Sequence, residues 1–169
     1  LALFVAGLVV YLRRPEGPTN PAAGSAPADA GPSASIDAAP APPPEGMLIV
    51  KKDGKPLFFV DAKPVTLGAF KGQFADHDQV GKPTDTVHSI TYNQARTFAN
   101  ARGKRLLTSE EWDAAAVTPS FIVAPGFYEW VDSPDKTKRI VRQHGKTEVR
   151  ADTVKHKDVT FRMAKNLGL

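Results

Sequence analysis

The chain has 169 residues, 22 Lys+Arg against 18 Asp+Glu for a formal net charge of +4, and no cysteine. That length suits one domain with an appendage, and the lack of thiols excludes a disulfide framework, a zinc–thiolate site and a thiol nucleophile. The charge is uneven: residues 15–45 carry Glu16, Asp29, Asp37 and Glu45 with no base, whereas residues 136–165 carry ten Lys/Arg against Glu148, Asp152 and Asp158.

In chain order, the first segment is LALFVAGLVVYL, Leu1–Leu12, uncharged and followed by Arg13-Arg14. A spanning helix needs about 20 apolar residues, so residues 1–14 are expected to be the C-terminal part of a transmembrane helix, with Tyr11 at the interface. A signal-peptide core is the weaker alternative, because Arg13-Arg14 stands where a small-residue cleavage site belongs. Residues 15–46 read as a disordered linker. Its first 31 residues hold nine Pro, nine Ala, no aromatic and one large aliphatic, Ile36, too little apolar surface to offset the entropy of ordering. Arg13-Arg14 favours a cytoplasmic flank, but a Pro/Ala stalk ahead of a small domain is the usual extracytoplasmic layout. The expectation is a membrane-anchored chain with a periplasmic domain.

Residues 47–169 then carry the fold. Met47–Lys51 and Leu57–Val60 are short apolar runs separated by Asp53-Gly54, a hairpin signal. Leu67, Phe70 and Phe74 have helical spacing within Thr66–Phe74. Thr91-Tyr-Asn-Gln94 is a capping box, followed by the apolar stripe Ala95, Phe98 and Ala99 and by Gly103 where a left-handed cap belongs. Thr108-Ser-Glu-Glu111 is a second capping box, opening a helix with Trp112, Ala115 and Ala116 on one face and ending at Pro119. Short strands are expected at Tyr128–Val131, Arg139–Arg142, Thr147–Arg150 and Val159–Met163. The class is α+β: two short-to-medium helices on short twisted strands, with Phe98, Trp112 and Trp130 sharing one interior.

His88–Ala116 (HSITYNQARTFANARGKRLLTSEEWDAAA) resembles the signature of the formylglycine-generating-enzyme, or sulfatase-modifying-factor, family: a capped helix, a Gly-Lys-Arg-Leu turn and a Thr-x-x-Glu-Trp helix. Phe59–Phe70 resembles that family's first strand and helix, Gly126–Val131 its GNVWEWV strand, and Val159–Lys165 its closing GFR strand. The resemblance spans about Met47–Leu167 and implies a C-type-lectin-like fold. It also implies what is lost. The family's enzymes use a copper-binding cysteine pair, absent here. The Asn linked to calcium is missing from Gly126-Phe127-Tyr128, leaving Glu129 as a lone carboxylate where calcium needs six to eight oxygens. No cofactor is therefore expected, calcium being the one ion the motif leaves open.

Other features have ordinary structural readings. His77, His88, His144 and His156 share no ligand spacing and are read as surface or hydrogen-bonding residues, although Asp76-His77-Asp78 is a loop cluster in which a metal is the rival reading. Glu110, Glu111 and Asp113 suit the first turn of a helix. The main functional reading is a non-catalytic ligand-binding or protein-interaction module, with Tyr128, Trp130, Arg142, His144 and Arg150 as ligand contacts and no catalytic or metal residues. Its partners would be a membrane, through the N-terminal helix, and a protein or anionic envelope ligand; no nucleic acid is expected, since the basic residues lack interleaved aromatics. Two rivals stand beside it: the sensory tail of a membrane-anchored serine/threonine kinase, and a cysteine-independent, metal-using oxidoreductase.

Overall fold

A computed structural model describes residues 42–135 and 137–168. The expected membrane segment at 1–14 and nearly all of the linker lie outside the described residues. Among the described residues no helix is long and apolar enough to cross a membrane.

The domain is α+β, with three helices and two sheets. Strands β1 (Met47–Lys52) and β2 (Lys55–Asp61) form the expected hairpin. Its turn is Asp53-Gly54, both at positive φ (52° and 77°), the geometry whose twist matches antiparallel strands. The register shifts between Val50 and Lys51, leaving Leu57 as the extra residue of a bulge.

Helix α1 (Leu67–Lys71) is capped by the Thr66 hydroxyl. Helix α2 (Tyr92–Asn100) starts at Thr91 and α3 (Ser109–Ala116) at Thr108, and both capping boxes are formed in full. Each box satisfies donors that a helix start otherwise strands. Gly103 takes φ 62° just past α2, as its position predicts.

The remaining strands are β3 (Tyr128–Val131), β4 (Ile140–Gln143), β5 (Lys146–Val149), β6 (Val159–Thr160) and β7 (Ala164–Asn166). They do not form one sheet. The order β5-β4-β3-β6 makes a four-stranded sheet in which β3 and β6 run parallel, whereas β7 joins β2 in a three-stranded sheet, β1-β2-β7. Of the run expected as one strand at Val159–Met163, only Val159–Thr160 is strand, paired with β3; the chain then changes sheets, and β7, which was not expected, pairs with β2 from Ala164.

This switch divides the interior. One core gathers Leu67, Phe70, Tyr92, Phe98, Trp130, Phe161 and their neighbours; a second gathers Val50, Phe58, Val60, Leu107, Trp112, Ala115 and Val131. Phe98 and Trp130 share an interior, but Trp112, equally buried, belongs to the other core. The expectation of a single interior is corrected accordingly. The physical reason is strand parity: β3 is covered on both faces, so Tyr128 and Trp130 point into the first core while Glu129 and Val131 face the second.

Candidate functional site

On the two-sided β3 a charged residue has to face apolar packing. Glu129 is 1% exposed, and its carboxylate accepts three hydrogen bonds. Arg162 donates from Nε to Oε2 at 2.7 Å and from Nη2 to Oε1 at 2.5 Å, and the Trp112 indole donates to Oε2 at 3.0 Å. Arg162, also without exposed surface, donates further to the carbonyls of Asp61, Ala62 and Ile122 and lies 3.7 Å from the Phe121 ring centroid. Such a pair is tolerable in an interior only when its hydrogen bonds are complete. The group therefore ties β3, the β2 end, the Ile122 loop and the sheet-switching segment together. Both Glu129 oxygens accept from Arg162 or Trp112, and a lone carboxylate so engaged does not fit the oxygen-rich donor set of calcium.

At the exposed margin of the same sheet, the structure brings two of the expected ligand contacts together. The Tyr128 hydroxyl donates to Glu148, and Arg150 Nη2 bridges Glu148 at 2.7 Å and Asp158 at 3.2 Å. The Arg150 guanidinium lies 5.4 Å from the Tyr128 ring centroid. The Glu148 bond, then burial, raises the Tyr128 phenol above its ordinary range, while the same bond, opposed by burial and helped by Arg150, lowers the Glu148 carboxyl. The face continues through Phe127, whose ring stacks with His88 at 5.7 Å, and His88 Nδ1 is 2.9 Å from the Ser89 hydroxyl.

The other expected contacts lie apart. Trp130 is 1% exposed, donates to the Ile90 carbonyl at 3.3 Å and packs edge-on to Tyr92, so its ring is core and does not meet a surface ligand. Arg142 faces α3, paired with Asp113 and Thr147 and 5.6 Å from the Trp112 ring centroid. His144 is exposed in the turn between β4 and β5. Glu148 and Asp158 were missed as partners of Tyr128 and Arg150. The only available signal was that Glu148 and Arg150, two residues apart, share one side of an extended segment.

The basic C-terminal stretch is largely charge-compensated. Lys138, Arg139, Arg142, Arg150, Lys155 and Arg162 each pair with a carboxylate: Asp135, Asp152, Asp113, Glu148 with Asp158, Asp78 and Glu129. Elsewhere, a cleft of 490 Å³ has the Lys104–Asp61 pair (2.7 Å) on one wall and Phe98 and Met163 among its lining; none of the expected contacts lines it. His77 departs from expectation, being buried with neither ring nitrogen bonded. Among the described residues no three His, Asp or Glu side chains converge as metal ligands.

Residues 49–166 match the family described as the sulfatase-modifying factor enzyme 1-like domain. No curated protein matches the chain.

Proposed function

The chain belongs to the sulfatase-modifying factor enzyme 1-like domain family, and from that premise we propose that it is a non-catalytic module that binds a protein partner through the Tyr128–Glu148–Arg150–Asp158 face. The family's copper–dithiol chemistry has no ligands in a sequence without cysteine. One observation carries the reading: the site's ionic groups hold one another. Arg150 is shared between Glu148 and Asp158, and Glu129 is enclosed by Arg162 and Trp112. Groups arranged this way offer rigid, hydrogen-bonding recognition on a strand scaffold rather than a base or nucleophile awaiting a substrate.

A protein partner suits this face better than a polyanion. Arg150 is outnumbered by its two carboxylates, and six basic residues of the C-terminal stretch are paired. In this proposal the module is tethered through Leu1–Leu12 and the linker and lies outside the membrane.

A photo-crosslinking amino acid at Glu148 in the full-length protein, expressed in its own host, tests the reading. A discrete protein adduct that Tyr128→Ala weakens, and that the same crosslinker at Lys71 does not give, supports it. Equal labelling from both positions, or conversion of a cysteine-bearing peptide by the purified chain, overturns it.

A further inference from the structure

The 490 Å³ cleft is built where the end of β2, helix α1 and the C-terminal end of α2 meet, and no residue of the Tyr128–Arg150 face lines it. Its size falls within the range of small-molecule sites, about 300–1,000 Å³. Buried Val65, Phe98 and Met163 supply the apolar part of its lining. The backbone around it is fixed. The amide of Asp61 donates to the Met163 carbonyl at 2.9 Å, that of Ala62 to Gly46 at 3.0 Å and that of Val65 to Phe161 at 3.0 Å. Walls bonded before a ligand arrives have little ordering left to lose on binding.

Five charged residues line the cleft: Lys63, Arg102 and Lys104 against Asp61 and Glu45, an excess of one positive charge. Asp61 is engaged through both oxygens, Oδ1 accepting from Lys104 at 2.7 Å and Oδ2 from the Met163 amide at 3.2 Å. Glu45 is exposed. Lys63 is exposed too, and among the described residues its ammonium has no partner. Arg102 is anchored through one nitrogen: Nη1 donates to Gln73 Oε1 at 2.6 Å and to the Phe98 carbonyl at 3.1 Å, and the guanidinium carbon lies 3.4 Å from the Phe98 ring centroid. Its Nε and Nη2 make no bond among the described residues. That pair can donate to both oxygens of one carboxylate.

We propose that this cleft binds a small monocarboxylate with an apolar body: Arg102 and Lys63 receive the carboxylate, and Val65, Phe98 and Met163 take the hydrocarbon. One excess positive charge matches one carboxylate, whereas a phosphate dianion would bring more negative charge than the lining offsets. A cationic ligand meets the excess as repulsion, and Asp61 has no oxygen left unengaged for it. A fully polar anion would leave the apolar wall without a partner. A protein surface is the wrong scale, since a stable interface covers about 800 Å² on each side. The site is independent of the Tyr128–Arg150 face and stands or falls apart from it.

The test is NMR titration of the full chain with phenylbutyrate, phenylbutyramide and phenylbutylamine, which share one apolar body and differ in the charge of the head group. The carboxylate is expected to give saturable shifts at the Ala62, Ala69 and Arg102 amides, with an affinity about tenfold or more above the amide and the amine, the scale of one charge-assisted hydrogen bond. Lys63→Gln and Arg102→Gln are each expected to weaken it by about tenfold. Ala69→Trp, which fills the cleft from exposed Ala69 without altering a charge, is expected to abolish it. No saturable binding of the carboxylate at millimolar concentration, equal affinity for the amide, unchanged affinity in either charge variant, or binding retained in Ala69→Trp overturns the proposal. Should Arg102→Gln or Ala69→Trp not fold, the head-group comparison and Lys63→Gln, at an exposed side chain, decide it.

Discussion

The carboxylate of Glu129 and the guanidinium of Arg162 meet as a two-pronged fork, 33 residues apart in sequence, with neither side chain open to solvent. Around them the sheet-switching segment changes partners: Thr160 belongs to one sheet and Ala164 to the other. The pair sits where both sheets and the Ile122 loop have backbone carbonyls or side chains to satisfy, and Arg162 satisfies three of those carbonyls itself.

Removing either partner leaves the other buried and uncompensated. Glu129→Gln is expected to destabilise the domain by about 3–5 kcal/mol, read by urea denaturation. Combining it with Arg162→Met is expected to cost less than the sum of the single changes, because no unpaired charge then remains.

The two capping boxes are predicted to differ in their reserve. Thr91→Ala and Thr108→Ala each lose the hydroxyl that caps the N3 amide, Thr91→Ala also its 3.3 Å bond to Gln94 Oε1, and each is expected to cost about 1 kcal/mol. Glu111→Ala is expected to cost more than Thr108→Ala, since Glu111 accepts both from the Thr108 amide and from Arg105 at 2.5 and 2.7 Å. Arg105 in turn holds Asn166 of β7. Equal losses in thermal denaturation would show that the Arg105 link contributes nothing.

Two glycines separate conformation from space. At Gly103, φ 62° disfavours any side chain, but an added methyl meets nothing within 4 Å. Gly103→Ala should therefore cost only the left-handed penalty, about 1 kcal/mol. At Gly68 the methyl would fall 2.8 Å from the Pro83 Cβ and 3.0 Å from its carbonyl oxygen. Gly68→Ala is expected to cost about 1–3 kcal/mol as overpacking, with loss of protection at the Gly68 amide that bonds Pro83 at 2.8 Å. Chemical denaturation of the two variants compares them directly.

Alkaline titration has a predicted order. Burial first, then its 2.7 Å bond to Asp132, pushes the Tyr92 phenol up to about 12. The folded state thus keeps a proton that the unfolded chain releases near pH 10. The associated stability is full below about pH 10 and is lost as the pH rises towards about 12. Tyr92→Phe is expected to remove the highest tyrosinate transition in ultraviolet absorbance and to flatten stability across that window.

Local signals were legible because their causes lie within a few residues. Asp53-Gly54 needs two positive φ values, Thr91 and Thr108 each find their Gln or Glu three positions on, and Gly103 follows a helix that has to end. The α+β class, three helical segments and the sites of β1–β5 to within about two residues followed from such patterns, whereas β6 is shorter than expected and β7 was not expected. Tertiary structure alone decided that Val159–Asn166 serves two sheets, that Trp112 and Trp130 sit in different cores, and that Tyr128 and Arg150 meet while Arg142 faces α3. It also decided that His77 is enclosed and that Glu129 belongs to Arg162. Those outcomes depend on which strand lies beside which, and side-chain spacing along one chain carries no information about a partner 33 residues away.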